Sequence, residues 1–157
     1  MPSGVTAGRD ASHDAAARSA ADAASLAVPH GRKGVGLARH AFADQMSEAG
    51  VSREAMDDAV LVLSELVSNA VRHADPLPSG EITVRWSVLD DVVHLEITDG
   101  GAPTRPMASL AALSSLGGRG LQIVRSVSSQ WGVTEDDHCV TVWADVPRTS
   151  PSTQATG

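Results

Sequence analysis

This chain has no tyrosine, one phenylalanine and three tryptophans among its 157 residues. A core built on stacked aromatics is therefore not expected; the interior must come mostly from Val, Leu, Ile and Ala. There is one cysteine, Cys139, so no intrachain disulfide can form, which is compatible with a reducing cytoplasm. Cys139 opens an alternating apolar run and reads as a half-buried strand residue rather than a reactive thiol. No apolar stretch approaches the about 18 residues that a membrane-spanning helix requires. The beginning of the chain lacks a basic segment followed by a long apolar block, so no signal peptide is expected and the expected location is cytoplasmic. Basic residues are outnumbered, 12 against 19 acidic, for a formal net charge of −7. That balance argues against sequence-independent nucleic-acid binding, which needs a basic footprint. It leaves room for an anionic ligand held locally by an arginine and backbone amides. The six histidines and the cysteine show no metal-ligand spacing.

What is present reads as one soluble domain with two polar ends. Hydrophobic residues make up 42% of the chain and charged residues 20%, an ordinary balance for a globular protein. Residues 1–24 are rich in Ala, Ser, Asp and Gly and hold almost no large apolar side chain. Such a segment cannot bury enough surface to offset its ordering entropy, and a disordered tail is expected. Residues 148–157 are a Ser/Thr/Pro tail of the same kind. The folded domain is expected over 25–147.

Within that domain the hydrophobic period changes in an orderly way. Ser25–Val28 is a short apolar run ended by Pro29, which suits an edge strand. From Gly34 to Ala49, residues Val35, Ala38, Phe42 and Met46 recur at helical spacing, and Gly50 stops the pattern. Ser52 is a good N-cap for a second helix over 53–74, whose apolar stripe is Met56, Val60, Leu63, Val67 and Val71. The period then becomes two. Glu81–Leu89 and Val92–Thr98 form a hairpin across Asp90-Asp91, with Ile82, Val84, Trp86, Val93, Leu95 and Ile97 facing the core. His94, on the opposite face, is expected to be exposed. A loop over 102–116 leads to a helix over Leu121–Ser129, and Trp131–Glu135 with Cys139–Val146 makes a second hairpin. The order β-α-α-β-β-loop-α-β-β predicts an α/β two-layer sandwich, a mixed and largely antiparallel sheet with helices on one face.

Three segments suit the chemistry of a phosphorylated ligand. Glu65 and Asn69 stand one helical turn apart, on one face. The Asn carbonyl oxygen suits a hard cation such as Mg²⁺, and the Glu could accept a proton from an attacking hydroxyl. A plain helix-surface pair has the same spacing. Asp99-Gly100-Gly101 ends a strand, where a carboxylate can accept from an exocyclic amine and glycine lets a flat ligand approach. A simple turn would also use these residues. Gly117-Gly118-Arg119-Gly120-Leu121 precedes a helix, so free N–H groups and a fixed positive charge suit phosphate. It is neither a P-loop nor a dinucleotide fingerprint. Arg72 and His73 share the face of Asn69, where a phosphate contact and a helix-end role are equally open.

Taken in order, the three segments resemble the GHKL ATPase superfamily, the Bergerat fold. Glu65-Leu66-Val67-Ser68-Asn69-Ala70 is similar to its N box, Asp99-Gly100-Gly101 to its G1 box and Gly118-Arg119-Gly120-Leu121 to its G2 box. The phrases ELVSNAVRHA, DGGAP and GGRGLQIV are most similar to the bacterial anti-sigma-factor serine kinases and to actinobacterial single-domain ATP-binding regulators. This resemblance implies ATP and Mg²⁺ as cofactors. Asn69 would be the metal ligand, and Asp99 would meet the adenine amine beside Gly101. Gly118, Arg119, Gly120 and Leu121 would line the triphosphate, with 102–116 as the lid, and Glu65 would be the catalytic base. It further implies a serine/threonine protein kinase and anti-sigma factor that phosphorylates an anti-anti-sigma partner. The alternative is a nucleotide-gated binding module that sequesters a sigma factor or other partner without phosphoryl transfer. Related kinases are often dimers, and Val35–Met46 offers a face for a homodimer. Two departures stand out: the lid is short and poor in basic residues, and the chain carries no separate dimerisation and phosphoacceptor-histidine helices, which disfavours a self-contained two-component kinase.

Overall fold

The computed structural model describes residues 23–101 and 119–148, and for Arg119, Gly120 and Leu121 the backbone alone. The elements follow the expected order. They are β1 (Ala23–Pro29), α1 (Arg32–Glu48), α2 (Arg53–His73), β2 (Glu81–Val88), β3 (Val92–Asp99), α3 (Arg119–Val127), β4 (Gln130–Glu135) and β5 (Val140–Pro147). The five strands form one sheet in the order β1-β2-β3-β5-β4, and every neighbouring pair is antiparallel. α3 carries the chain from the middle of the sheet to its far edge at β4, and β5 then returns beside β3. Among the described residues, no helix is long and apolar enough to cross a membrane. β1 starts at Ala23, and Arg148 is bound to the β2–β3 turn through its N–H on Asp91 O (3.0 Å) and its Nη1 on Leu89 O (2.9 Å).

Strand alternation separates two faces. The face toward the helices consists of cross-strand rows such as Trp86–Leu95–Ala144 and Val84–Ile97–Val142. α2 lies in the middle of the helical layer, touching α1, α3, β3 and β5. Phe42 of α1 meets Trp86 edge-on, ring centroids 5.1 Å apart at 81°, and Trp86 Nε1 donates to Gln45 Oε1 at 3.2 Å. The scarce aromatics thus pin α1 to the sheet, while aliphatic side chains fill the remainder. Ala38, Phe42 and Met46 are wholly consumed by this core. Of the Val35–Met46 face, Val35 remains half-buried, and Leu37 of the same helix is exposed.

Two expectations require correction. On α2 the fully buried residues are Ala55, Ala59, Val62, Leu63, Leu66, Val67 and Ala70. The buried face is thus turned from the stripe of large side chains: Met56, Val60 and Val71 lie at its margin, and Leu61 is exposed. Three alanines allow α2 to approach the sheet closely, a role that hydrophobic periodicity underweights. His94 does point to the face opposite the helices, yet it is only 2% exposed. Its ring lies 5.9 Å from the Trp143 ring, and its nitrogens are held by Asp145 and Glu96. Neighbouring side chains on that face, rather than a second layer of helices, supply its burial.

Candidate functional site

α2 is a well-determined helix, which matters because it carries Glu65 and Asn69. Ser52 caps it by accepting the Ala55 N–H at 3.2 Å, Glu54 lies in its first turn, and Arg72 and His73 lie in its last. Each arrangement suits the helix dipole or an orphan N–H. Ser64, next to Glu65, turns its hydroxyl back onto Val60 O at 2.8 Å. Glu65 and Asn69 are both half-buried, at the edge between the buried face and the outer surface of α2. Within the described residues, the Asn69 side-chain Nδ2 is buried and has no hydrogen-bond partner. Leaving a buried amide unsatisfied costs about 1–3 kcal/mol, so this amide has polar capacity reserved for something else.

Asp99, at the end of β3, continues the inward series of Val93, Leu95 and Ile97 and pairs with Val140 of β5. An apolar side chain would belong there; a carboxylate stands in its place. It is 5% exposed and accepts the Gly101 N–H at 2.7 Å through Oδ1. Burial is the largest influence on it and pushes its pKa up to about 6. The Gly101 N–H and the nearby His30 oppose that rise, and Asp75 adds to it. Gly101 has a φ of +72°, the left-handed conformation that an Asp-Gly-Gly turn supplies at little cost.

A short interlock joins the two halves of the site. Beyond the end of α2, the Asp75 N–H donates to Gly101 O at 2.8 Å, and the Gly100 N–H donates to Asp75 O at 2.8 Å. A Cβ on Gly100 would lie 2.2 Å from Pro76 O, so only glycine allows the crossing. The end of the helix that carries Asn69 is thereby laced to the turn that carries Asp99. A cleft of about 570 Å³ opens beside this crossing, lined by Asp75, Pro76, Gly100, Gly101, Cys139 and Val140 among others.

Of the expected site residues, Asp99 and Gly101 belong to the turn at this crossing, while Asn69 and Glu65 lie further back along α2, about two and three turns before Asp75, and neither lines the cleft. The backbone of Arg119, Gly120 and Leu121 forms the first turn of α3, which packs on α2. Gly118 and the expected lid, 102–116, lie outside the described residues. Arg72 is exposed and His73 half-buried. One residue was not anticipated: His30, between β1 and α1, bonds the carbonyls of Ala70 and Ala74. An isolated histidine in a Pro-His-Gly corner has no periodic or motif signal that could have marked it. Among the described residues, no group of three or more acidic, His or Cys side chains makes an all-protein metal cage. A hard cation here would rely on Asn69 with waters and ligand phosphates, a manner of binding usual for Mg²⁺. The unpartnered Nδ2 donor of Asn69 suits an anionic oxygen such as that of a phosphate, and the buried acceptor at Asp99 suits an exocyclic amine; both fit a nucleotide.

Comparisons with known proteins bear on the fold and the family. The chain is similar to the serine-protein kinase RsbW of Listeria innocua, 33% identical over 81 residues, covering 51% of this chain and 52% of that protein. The RsbW of Staphylococcus aureus is 32% identical over 82 residues, covering 51% and 52%. The chain thus spans about half the length of the curated relatives it matches. Among solved structures, that of the RsbU and RsbW domains of Rv1364c from Mycobacterium tuberculosis has a TM-score of 0.61 at 17% identity, covering 82% of this chain and 33% of that one. The SiaB–SiaC complex from Pseudomonas aeruginosa gives 0.59 at 15% identity, covering 90% and 98%. These two likenesses show the fold. A family model matches residues 28–145, and by that match the chain belongs to the histidine kinase-like ATPase domain family.

Proposed function

We propose that this protein is an ATP- and Mg²⁺-dependent serine/threonine kinase and anti-sigma factor whose substrate is an anti-anti-sigma partner protein. The observation that carries the reading is the buried Nδ2 donor of Asn69, which has no partner among the described residues and suits a phosphate oxygen, on a helix that also carries Glu65 one turn away and is laced to the Asp99 turn. The serine-protein kinases among the relatives support it.

In this reading Asp99 accepts the adenine amine, and Gly101 leaves space for the base. Asn69 offers its side-chain oxygen to Mg²⁺. The backbone amides opening α3, with Arg119, neutralise phosphate charge. When bound, Mg²⁺–ATP supplies the phosphoryl group and offsets its negative charge. Glu65 takes the proton from the partner's serine hydroxyl as that oxygen bonds to the γ-phosphorus and ADP leaves. Phosphoryl transfer asks mainly for positioning and charge stabilisation. A rigid helix bearing both base and amide, one turn apart, suits that demand.

The test is single-turnover transfer of labelled γ-phosphate to a candidate serine-bearing partner. Glu65→Gln is expected to slow transfer by about 10²- to 10⁴-fold while ATP affinity stays within about twofold. Transfer at the unmodified rate would remove Glu65 as the base. ATP-dependent partner binding without transfer, in the unmodified chain, would instead favour the sequestering module. The SiaB–SiaC structure, a complex of a protein that shares this fold, keeps that second reading in view.

A further inference from the structure

His30 sits at the corner where β1 turns into α1, far in sequence from every residue of the candidate site. Its Nε2 lies 2.8 Å from Ala74 O and 3.2 Å from Ala70 O. Both neighbours are carbonyls and can only accept, so Nε2 must carry the proton and donate to both. These acceptors belong to the last turn of α2, where helical carbonyls lose their own N–H partners. The Ala74 N–H still reaches Ala70 O at 3.2 Å, so Ala70 O is shared between the helix and the imidazole. One side chain thus closes a helix end that would otherwise fray or need water.

The position of that helix end matters for two reasons. Ala70 immediately follows Asn69, so fraying there would swing the amide. Asp75, directly after Ala74, bonds Gly100 and Gly101 and so holds the turn of Asp99. His30 also lies near enough to Asp99 to favour its ionised form. Three chain segments, distant in sequence, meet here: the end of β1, the end of α2 and the end of β3.

We infer that His30 is a positioning residue for nucleotide binding: its Nε2–H clamp on Ala70 and Ala74 fixes Asn69, on the metal side, relative to Asp99, on the base side. The inference rests on the nucleotide-binding reading above and deepens it. His30 touches neither ligand nor reacting atoms; it acts through the backbone of α2.

The test compares His30→Leu with His30→Gln in the full chain, by calorimetric titration with ATP and Mg²⁺ at a temperature where both variants are fully folded by circular dichroism. His30→Leu removes the donor, and its affinity is expected to fall about tenfold. His30→Gln keeps an N–H near the place of Nε2 and is expected to stay within about threefold of the unmodified chain. A purely structural histidine would lower the melting temperature of both variants and leave both affinities alone, which would overturn the inference. So would a His30→Gln variant as weak as His30→Leu. An unmodified chain without affinity for ATP would sink the nucleotide reading and the clamp with it. Tight ATP binding by folded His30→Leu would sink the clamp alone.

Discussion

His94 and Asp99 lie on the same strand, five residues apart and on opposite faces of the sheet, and both are almost fully buried, at 2% and 5% exposure. Their surroundings differ sharply. His94 donates from Nδ1 to Asp145 Oδ1 at 2.5 Å and from Nε2 to Glu96 Oε2 at 3.0 Å. Every polar atom of its ring is matched by an opposite charge. Burial alone would lower its pKa, but the two carboxylates more than reverse that and raise it to about 9. Asp99 has a backbone N–H from its own turn and sits in a row of apolar side chains, so burial dominates and lifts it to about 6. On α2, whose end is laced to this turn, the Asn69 Nδ2 has no partner among the described residues. The imidazole is fully paired without a ligand, although Nε1 of the neighbouring Trp143 is itself without a partner among the described residues, as is Ser128 Oγ. An unpartnered buried donor therefore does not mark a site by itself; what sets the Asp99 side apart is a carboxylate held in an apolar row beside a glycine turn.

The sharpest way to break this contrast is to remove the imidazole. His94→Leu removes the imidazolium from Asp145 and Glu96, both partly screened by solvent, with Arg85 Nη1 still 3.6 Å from Glu96. A stability loss of roughly 3 kcal/mol is expected in urea unfolding. ATP affinity should remain within about twofold, because the outer face of the sheet has no part in the site. A tenfold change in ATP affinity would show the two centres to be coupled and end the distinction.

The complementary substitution is Asp99→Ala. If Asp99 is the acceptor for the adenine amine, as proposed, ATP affinity is expected to fall roughly tenfold to a hundredfold. Stability should hold or rise, since the cost of keeping a carboxylate in an apolar row disappears. Calorimetric titration and urea unfolding of one preparation give both values. A variant that unfolds more easily yet binds ATP as before would invert the assignment and make Asp99 the structural residue.

These two residues also measure how far the sequence could be read. Asp99-Gly100-Gly101 was legible because its chemistry is local: a carboxylate and the glycine turn that presents it are adjacent in the chain. The element order was legible for a similar reason, since Ser52 caps α2 within one turn and the strand alternation repeats every second residue. His94 was misread because alternation assigns a face but says nothing of cover. Its cover comes from Asp145 and Trp143 on β5, a neighbour established only by sheet order. The buried face of α2 was displaced because Ala55, Ala59 and Ala70 carry little hydrophobic signal, though their small size sets the approach of helix to sheet. His30 was invisible because its two acceptors lie 40 and 44 residues away, and no local pattern encodes such a contact.

The smallest expected effect is the most discriminating, because the two centres titrate in separate windows. The folded-state pKa of His94, about 9, lies above the ordinary 6.5, so the protonated ring stabilises the fold. That contribution is fully present below pH 6.5 and is lost as pH rises through 9. Asp99, at about 6 against the ordinary 3.8, has the opposite meaning for an acid: its ionised form destabilises the fold above pH 6, and the cost is relieved as pH falls toward 3.8. In the proposed role, that ionised form is the one that best accepts the adenine amine. ATP affinity should therefore weaken roughly tenfold between pH 7 and pH 5, while the loss of stability falls between pH 6.5 and 9. Asp99→Asn serves as the reference for the lower window, because the phosphates of the nucleotide titrate alike in both proteins. His94→Leu serves for the upper one. If the affinity difference between the unmodified chain and Asp99→Asn stays constant from pH 5 to 7, Asp99 is not the group that ionises at the site. If the upper slope survives in His94→Leu, the clamp on the outer face is not what holds the fold at neutral pH.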